Sequence, residues 1–267
     1  MSDTSDLEAD RKLLRRAVTA AGAVALEQFR AGPGHWHKAP GQVLTEADLA
    51  IDRLLYDILI GARPEDGWLS EERADDGSRH RRRRVWIVDP IDGTRAFADG
   101  EPEFAISIAL AVDGEAVLGA VLNPATEEHF EAQRDAGARL NGASLRISEQ
   151  RELTGARLLS SRTEMRRRDW PQLIPGAQFT TMGSLAYKLA LVAAGRFDGL
   201  VSLRASHDWD LAAAALLIGE AGGRISGADG APLLLNQPTP SHAGIAAAGT
   251  TALHRALVNR LRSVEGG

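Results

Sequence analysis

No stretch constrains this chain more than Val85-Trp86-Ile87-Val88-Asp89-Pro90-Ile91-Asp92-Gly93-Thr94. Four consecutive apolar or aromatic residues read as a short buried strand. Pro90 biases Asp89 toward an extended backbone and cannot donate to a central ladder, so the strand is predicted to stop there and the chain to turn. Two carboxylates three residues apart then stand at the strand's mouth, where α/β proteins place their chemistry. Like charges about 4 Å apart repel by roughly 4 kcal/mol at an effective dielectric of 20. A cation is therefore expected between Asp89 and Asp92.

The 267 residues suffice for one large domain or two intimate small ones. The expected division is an α+β subdomain over 1–150 carrying the metal-site motifs and an α/β subdomain over 151–267 completing the active site, the two forming one unit. The absence of cysteine excludes disulfide scaffolds, thiolate metal sites and cysteine nucleophiles. A net charge of −5 gives no global attraction to nucleic acid or anionic membrane. The longest apolar run, Leu211 to Ile218, is too short to span a bilayer. Met1 to Asp6 is acidic and polar, unlike a secretory signal, so a cytoplasmic protein is expected.

Ser5-Asp6-Leu7-Glu8 has the form of a capping box and predicts a helix to about Arg30. Ala31 to Gly41 reads as a Gly/Pro loop carrying His35, Trp36 and His37, and a second helix is predicted from Thr45 to about Ile60. Residues 61–84 read as a polar loop. Phe104 to Val112 and Glu115 to Leu122 form a predicted hairpin around Asp113-Gly114, with a further strand near His129 to Ala132 and a turn at Asn141-Gly142. The second half alternates: strand Arg157 to Ser161, helix Ser184 to Ala194, strand Gly199 to Leu203, helix Asp208 to Ala221, strand Gly244 to Ala248 and helix Ala252 to Arg262. Antiparallel α+β is thus expected to give way to α/β.

Five acids recur near predicted strand or helix ends: Asp48, Glu71, Asp89, Asp92 and Asp210. No histidine cluster has zinc spacing, so a site built from these acids is all oxygen and suits a hard cation such as magnesium. Gly93 lets backbone amides approach an anion, and Thr94 can hydrogen-bond a water. Carboxylates, metal, phosphate cradle and positioned water together suggest metal-assisted hydrolysis of a phosphate ester. Each piece has a plainer reading. Thr45 to Asp48 fits a helix capping box, Glu71-Glu72 a solvated acidic pair, and Asp210 beside Asp208 a favourable helix-dipole charge. Trp86 and Trp209 read as core, and His35, His37 and His207 as polar loop residues.

Taken together and in order, four motifs resemble the inositol monophosphatase superfamily of magnesium-dependent phosphatases over nearly the whole chain. They are Thr45-Glu46-Ala47-Asp48, Ser70-Glu71-Glu72, Trp86 to Thr94, and Trp209-Asp210-Leu211-Ala212-Ala213 with Glu220-Ala221-Gly222-Gly223. The resemblance implies a layered αβαβα sandwich, usually assembled as a homodimer and lithium-sensitive. It implies two or three magnesium ions held by Glu71, Asp89, the Ile91 carbonyl, Asp92 and Asp210. Water activation would fall on Glu71 and Thr94 with Asp48 in support, and the phosphate against Asp92, Gly93 and Thr94.

Family members that act on inositol phosphate carry a glutamate about seven residues before the last metal aspartate. Gly199 to Asp208 holds none; Ser202, Leu203 and Arg204 stand there. Leu69 to Glu72, Asp92 to Phe97 and Gly183-Ser184-Leu185-Ala186-Tyr187-Lys188 resemble the bacterial 3'(2'),5'-bisphosphate nucleotidases instead. The expected substrate is therefore a small phosphorylated metabolite, 3'-phosphoadenosine 5'-phosphate, contacted by Gly183, Ser184 and Arg204, whose planar fork suits a second phosphate. Inositol 1-phosphate or a related sugar phosphate is the alternative. A haloacid dehalogenase-type phosphatase is disfavoured, because its two acids lie at i and i+2, not i and i+3. A different class, a polyanion-binding protein, would use Arg79 to Arg84, whose plainer reading is a loop balanced by Asp75 and Asp76. No nucleic acid or membrane partner is expected.

Overall fold

Helix and sheet alternate through the molecule because each sheet is apolar on both faces and must be covered twice. The computed structural model describes residues 3–32, 35–39 and 42–265. The first half runs α1 (Asp3–Ala31), β1 (His35–Ala39), β2 (Gln42–Thr45), α2 (Glu46–Ala62), β3 (Gly67–Ser70), β4 (Arg84–Asp92) and α3 (Thr94–Ala98). There follow β5 (Ala105–Val112), β6 (Glu115–Asn123), β7 (Glu128–Gln133), β8 (Gly137–Leu140) and β9 (Ala143–Ser144). The second half runs β10 (Arg157–Ser160), α4 (Arg162–Arg167), α5 (Trp170–Leu173), β11 (Gln178–Thr181), α6 (Leu185–Ala193), β12 (Gly199–Ser202), β13 (Ser206–His207) and α7 (Asp208–Glu220). It closes on β14 (Arg224–Gly227), β15 (Ser241–His242), β16 (Ile245–Ala248) and α8 (Thr251–Glu265).

Strands β3 to β9 form one sheet in sequence order, antiparallel except for the parallel pair β3/β4. The second sheet has the order β11-β10-β12-β16-β14, parallel across its first three strands and antiparallel at β16. Three cores separate the layers. Trp86 and Val88 of β4 face α1 and α2, packing with Leu14, Val18, Ile51 and Leu55. Val85 and Ile87 face the other way, onto Leu189, Leu211 and Ala213 of α6 and α7 and onto Leu159 and Leu200 of the second sheet. Leu158 and Val201 on that sheet's far side meet Leu253, Leu257 and Leu261 of α8. The result is the layered αβαβα sandwich.

α7 approaches the first sheet closely. Its facing side is alanine, and a Cβ on Gly119 would lie 3.0 Å from Ala213 Cα. That closeness carries the N-terminus of α7 to the end of β4.

Several elements differ from the sequence reading. α1 begins at Asp3, so Ser5 lies inside the helix and not at its cap. The expected loop over Ala31 to Gly41 contains β1, which pairs antiparallel with β2, His35 opposite Thr45; Gly and Pro punctuation masked a short hairpin. The side chains of His35, Trp36 and His37 lie outside the described residues. The loop expected at 61–84 contains β3, four residues paired in parallel with β4 and too short to signal a period. The basic run is tied down. Arg79 is fully buried, donating to Asp75, to the Asn236 side chain and to the Gln237 carbonyl. Arg82, Arg83 and Arg84 pair with Glu65, Asp113 and Asp66. Four of the run's five arginines are thus committed to acids, which removes most of a polyanion patch.

β4 does not stop at Pro90. It continues to Asp92 with a shift of register, Asp89 opposite Ser107 and Asp92 opposite Ala105. Three steps on β4 match two on β5, a one-residue bulge that absorbs the proline.

Candidate metal centre

The bulge decides the site. In a regular strand residues i and i+3 face opposite sides. One extra residue restores parity, so Asp89 and Asp92 both face α6 and α7 while Ile91 packs into the α1/α2 core. Asp210, in the first turn of α7, comes to the same point. One carboxylate oxygen from each of Asp89, Asp92 and Asp210 lies within 4.8 Å of the others.

Each acid is held differently. Asp92 Oδ2 accepts from Ser184 Oγ at 2.6 Å and from the Ala186 N–H at 2.5 Å, at the start of α6. Ser184 Oγ in turn accepts from the Tyr187 N–H, so one hydroxyl caps the helix and fixes the acid. Asp210 Oδ2 accepts from the His207 N–H at 2.7 Å, closing the start of α7. The Ser107 hydroxyl donates to the Trp209 carbonyl at 3.0 Å and pins that turn to β5. Asp89 is different: it is 1% exposed, and neither carboxylate oxygen has a hydrogen-bond partner. A buried carboxylate with four open acceptor positions is costly unless a cation fills them.

The ionisation behaviour agrees. Burial, then the charges of Glu71, Asp92, Asp210 and Asp48, hold the Asp89 carboxyl well above the usual aspartate range. Burial raises Asp92 against the pull of its Ser184 and Ala186 hydrogen bonds. Burial, with the Asp92 charge, pushes Asp210 up to about 7. The donor set is all carboxylate and carbonyl oxygen, and an orphaned acid lies at its centre. These residues fit a hard divalent cation.

A stability prediction follows from the sign of these shifts. Folding raises the affinity of these acids for protons, so the stability they contribute in metal-free protein is fully present below the unfolded aspartate value near 4 and is lost as pH rises through the folded value. In chelator, the melting temperature is expected to fall by about 5 °C or more between roughly pH 5.5 and pH 8. Millimolar magnesium is expected to restore most of it at the higher pH and little at the lower. Melting curves that coincide at the two values would mean that the acids do not repel.

Asp48 unites its two sequence readings. Its Oδ2 accepts from the Thr45 N–H at 2.7 Å and Thr45 Oγ1 at 2.5 Å, closing the capping box of α2. Its Oδ1 lies 3.1 Å from Thr94 Oγ1, which also lies 3.0 Å from the Ile91 carbonyl. Glu71 follows β3 directly, its N–H donating to the Val88 carbonyl at 3.3 Å. It is exposed at the mouth, close enough for its charge to raise Asp89 but outside the cluster of three. The turn around it is anchored by Asp52, which accepts from Ser70 Oγ at 2.6 Å and Arg73 at 2.5 Å.

Beside the acids lies a cavity of about 240 Å³. Of the sequence candidates, Asp92, Gly93, Ser184, Arg204 and Asp210 line it, and Thr94 does not. Gly183 adjoins it, its N–H donating to Glu103 at 2.7 Å. Ser160, Glu164, Lys188 and Ser206 line it too and escaped the sequence reading. For Ser160 a signal existed, since it ends a parallel strand, where such folds place ligand contacts. Asp208 is no dipole charge alone; fully buried, it bonds the Asn236 N–H and His242 Nε2 at 2.6 and 2.8 Å.

Comparisons with known proteins show the family. The chain is 40% identical over 205 residues to an inositol-1-monophosphatase of Rhizobium meliloti, covering 72% of this chain and 75% of that protein. It is 35% identical to the Nus factor SuhB of Pseudomonas aeruginosa, with 82% of each chain covered. A solved Thermotoga maritima IMPase superposes with a TM-score of 0.82 at 26% identity, covering 98% of both chains. The inositol monophosphatase family model matches residues 6–265. The chain therefore belongs to the inositol monophosphatase family, whose members are phosphatases acting on phosphomonoesters.

Proposed function

We propose that this chain hydrolyses the phosphomonoester of a small phosphorylated metabolite with magnesium bound by Asp89, Asp92, Asp210, the Ile91 carbonyl and Glu71. The observation that carries the reading is the orphaned Asp89 carboxylate at the centre of three converging acids. Held by these residues, divalent ions would supply Lewis-acid stabilisation of phosphoryl charge and a nucleophilic water at neutral pH.

The chain's own residues orient the reaction. The Thr94 hydroxyl has one proton and two acceptors within reach, the Asp48 carboxylate and the Ile91 carbonyl. Donating to Asp48 leaves its lone pairs free to accept from the attacking water. The proton then passes from water to Thr94 Oγ1 as the threonine proton passes to Asp48 Oδ1. The phosphate rests against Gly93 and Thr94, and attack is in line without a covalent enzyme intermediate. Thr94→Ala is expected to lower kcat about a hundredfold and to shift the magnesium concentration for half-maximal rate far less. An unchanged kcat in steady-state assays would remove Thr94 from the reaction.

For the substrate, inositol 1-phosphate is supported by the name of the 40% identical relative. The bisphosphate expected from sequence, 3'-phosphoadenosine 5'-phosphate, is supported by a specific observation: two cationic side chains, Lys188 and Arg204, line the cavity beside the acids. Purified protein with magnesium, assayed side by side on these two compounds and fructose 1,6-bisphosphate, separates the readings. Failure to hydrolyse any phosphomonoester would overturn the function itself. A cytoplasmic homodimer is part of the proposal, and light scattering at the mass of one chain would remove the dimer.

A further inference from the structure

Two of the site's acids arrive on segments far apart in sequence. Glu71 stands at the exit of β3, and residues 71–77 run on from it, largely exposed and without helix or strand. Asp210 stands in the first turn of α7. Arg79, in the single helical turn Ser78–Arg81, is fully buried and bonds to both segments. On the loop side its Nε donates to Asp75 Oδ2 at 3.0 Å, and its Nη2 lies 2.8 Å from the same oxygen. On the other side Nη1 donates to the Asn236 side-chain oxygen and Nη2 to the Gln237 carbonyl at 2.9 Å. Asn236 continues the path, its N–H donating to Asp208 Oδ2 at 2.6 Å. Asp208 opens α7 two residues before Asp210, and His242 Nε2 lies 2.8 Å from its other oxygen. The Asp208 N–H donates to the Pro240 carbonyl at 3.1 Å, so residues 236–242 wrap the first turn of α7.

The fold makes room for this guanidinium. A Cβ on Gly67, the first residue of β3, would lie 3.1 Å from Arg79 Cα. Asn236 sits at φ +59, in the left-handed region, and from there its N–H reaches Asp208 while its side chain reaches Arg79. A buried charge pair adds little stability over an apolar residue of similar volume. What the planar fork adds is direction, because it fixes three acceptors on two segments at once. The near end of the Glu71 loop is already held, by Asp52 through Ser70 and Arg73. Arg79 holds the far end and ties it to the turn that carries Asp210. A ligand on an exposed loop binds well only when its surroundings lock its position.

We propose that Arg79 is a positioning residue of the metal centre: it fixes the Glu71 loop against the start of α7, and with it the placement of Glu71 relative to Asp210. The inference rests on the phosphomonoesterase reading above, with Glu71 and Asp210 both holding cations. Arg79 takes no part in the bond that breaks.

Manganese(II), which oxygen ligands suit, is the probe, titrated calorimetrically into chelator-treated protein. Arg79→Met keeps an unbranched side chain and removes the fork, and is expected to weaken manganese binding about tenfold. A cycle with Glu71→Gln separates positioning from a general structural role. Glu71→Gln alone is expected to weaken manganese. Adding Arg79→Met to it is expected to weaken binding by less than about a further twofold, because a displaced loop no longer displaces a ligand. The melting temperature in chelator is expected to fall equally in both Glu71 backgrounds, as a structural contribution does. Asn236→Gly keeps the left-handed backbone and the N–H to Asp208 while removing one acceptor of Arg79. It is expected to weaken manganese about threefold, and it carries the test if Arg79→Met does not fold. An equal loss of manganese affinity in both Glu71 backgrounds overturns the positioning role. So do Arg79→Met and Asn236→Gly variants that bind manganese as the unmodified protein does, with hydrolysis left standing. A Glu71→Gln variant with unchanged affinity overturns it as well, since Glu71 would then hold no cation. An unmodified protein that binds no manganese overturns the phosphatase reading and this inference together.

Discussion

Asp89→Asn is expected to lower kcat/KM at least about a thousandfold and, in metal-free protein, to raise the melting temperature. The two effects have one cause. Asp89 is buried, unpartnered, and surrounded by the charges of Glu71, Asp92, Asp210 and Asp48. Its ionised form destabilises the fold until a cation arrives, and each divalent ion lost from phosphoryl chemistry removes several kcal/mol of transition-state stabilisation. Asparagine keeps the shape and removes the charge. The gain in metal-free stability is expected near pH 8, where the acid would be driven to ionise, and to shrink toward pH 5.5. Added magnesium should then stabilise the variant far less than the unmodified protein. Steady-state kinetics and melting curves with and without magnesium check this. A variant that loses activity together with metal-free stability would assign Asp89 a structural role.

Gly93→Ala is expected to cost at least about a hundredfold in activity and several degrees in melting temperature. Gly93 sits at φ +94, in the left-handed region that favours glycine. A Cβ there would lie 2.8 Å from the Glu103 carbonyl oxygen and 3.0 Å from the Ser184 nitrogen. Both are backbone atoms and cannot swing aside. Ser184 holds Asp92, and Gly93 leads into Thr94, so relief of the clash would displace a metal-site acid and the threonine bonded to Asp48. Strain and backbone displacement together are expected to cost about 2 kcal/mol or more, which at this size is roughly 4 °C or more. Unchanged kinetics would mean that the backbone around Gly93 gives way without moving the acids.

Local pattern made much of this legible. The Thr45 to Asp48 capping box, the Asp113-Gly114 hairpin and the alanine-rich α7 fell where period and turn chemistry placed them. The misses share a physical reason. β3 and the β1/β2 hairpin are short segments whose pairing is paid for by distant partners, and a four-residue strand carries no period of its own. Arg79 looked like surface charge, yet it is buried because Asp75, Asn236 and Gln237 supply its partners across 157 and 158 residues for the last two.

The sequence by itself determined the ingredients: an all-oxygen set of acids, a strand ending in Asp89 and Asp92, and a glycine and threonine beyond them. Only the tertiary structure decided that these acids share one face. Proline predicts that a ladder is interrupted, but whether the interruption ends the strand or becomes a bulge depends on β5, which pairs with β4 on both sides of it. Likewise, Lys188 reads as an ordinary helix residue until α6 packs between two sheets and leaves its ammonium beside the metal-site acids. Local rules act through neighbours in the chain, whereas desolvation and charge act through neighbours in space.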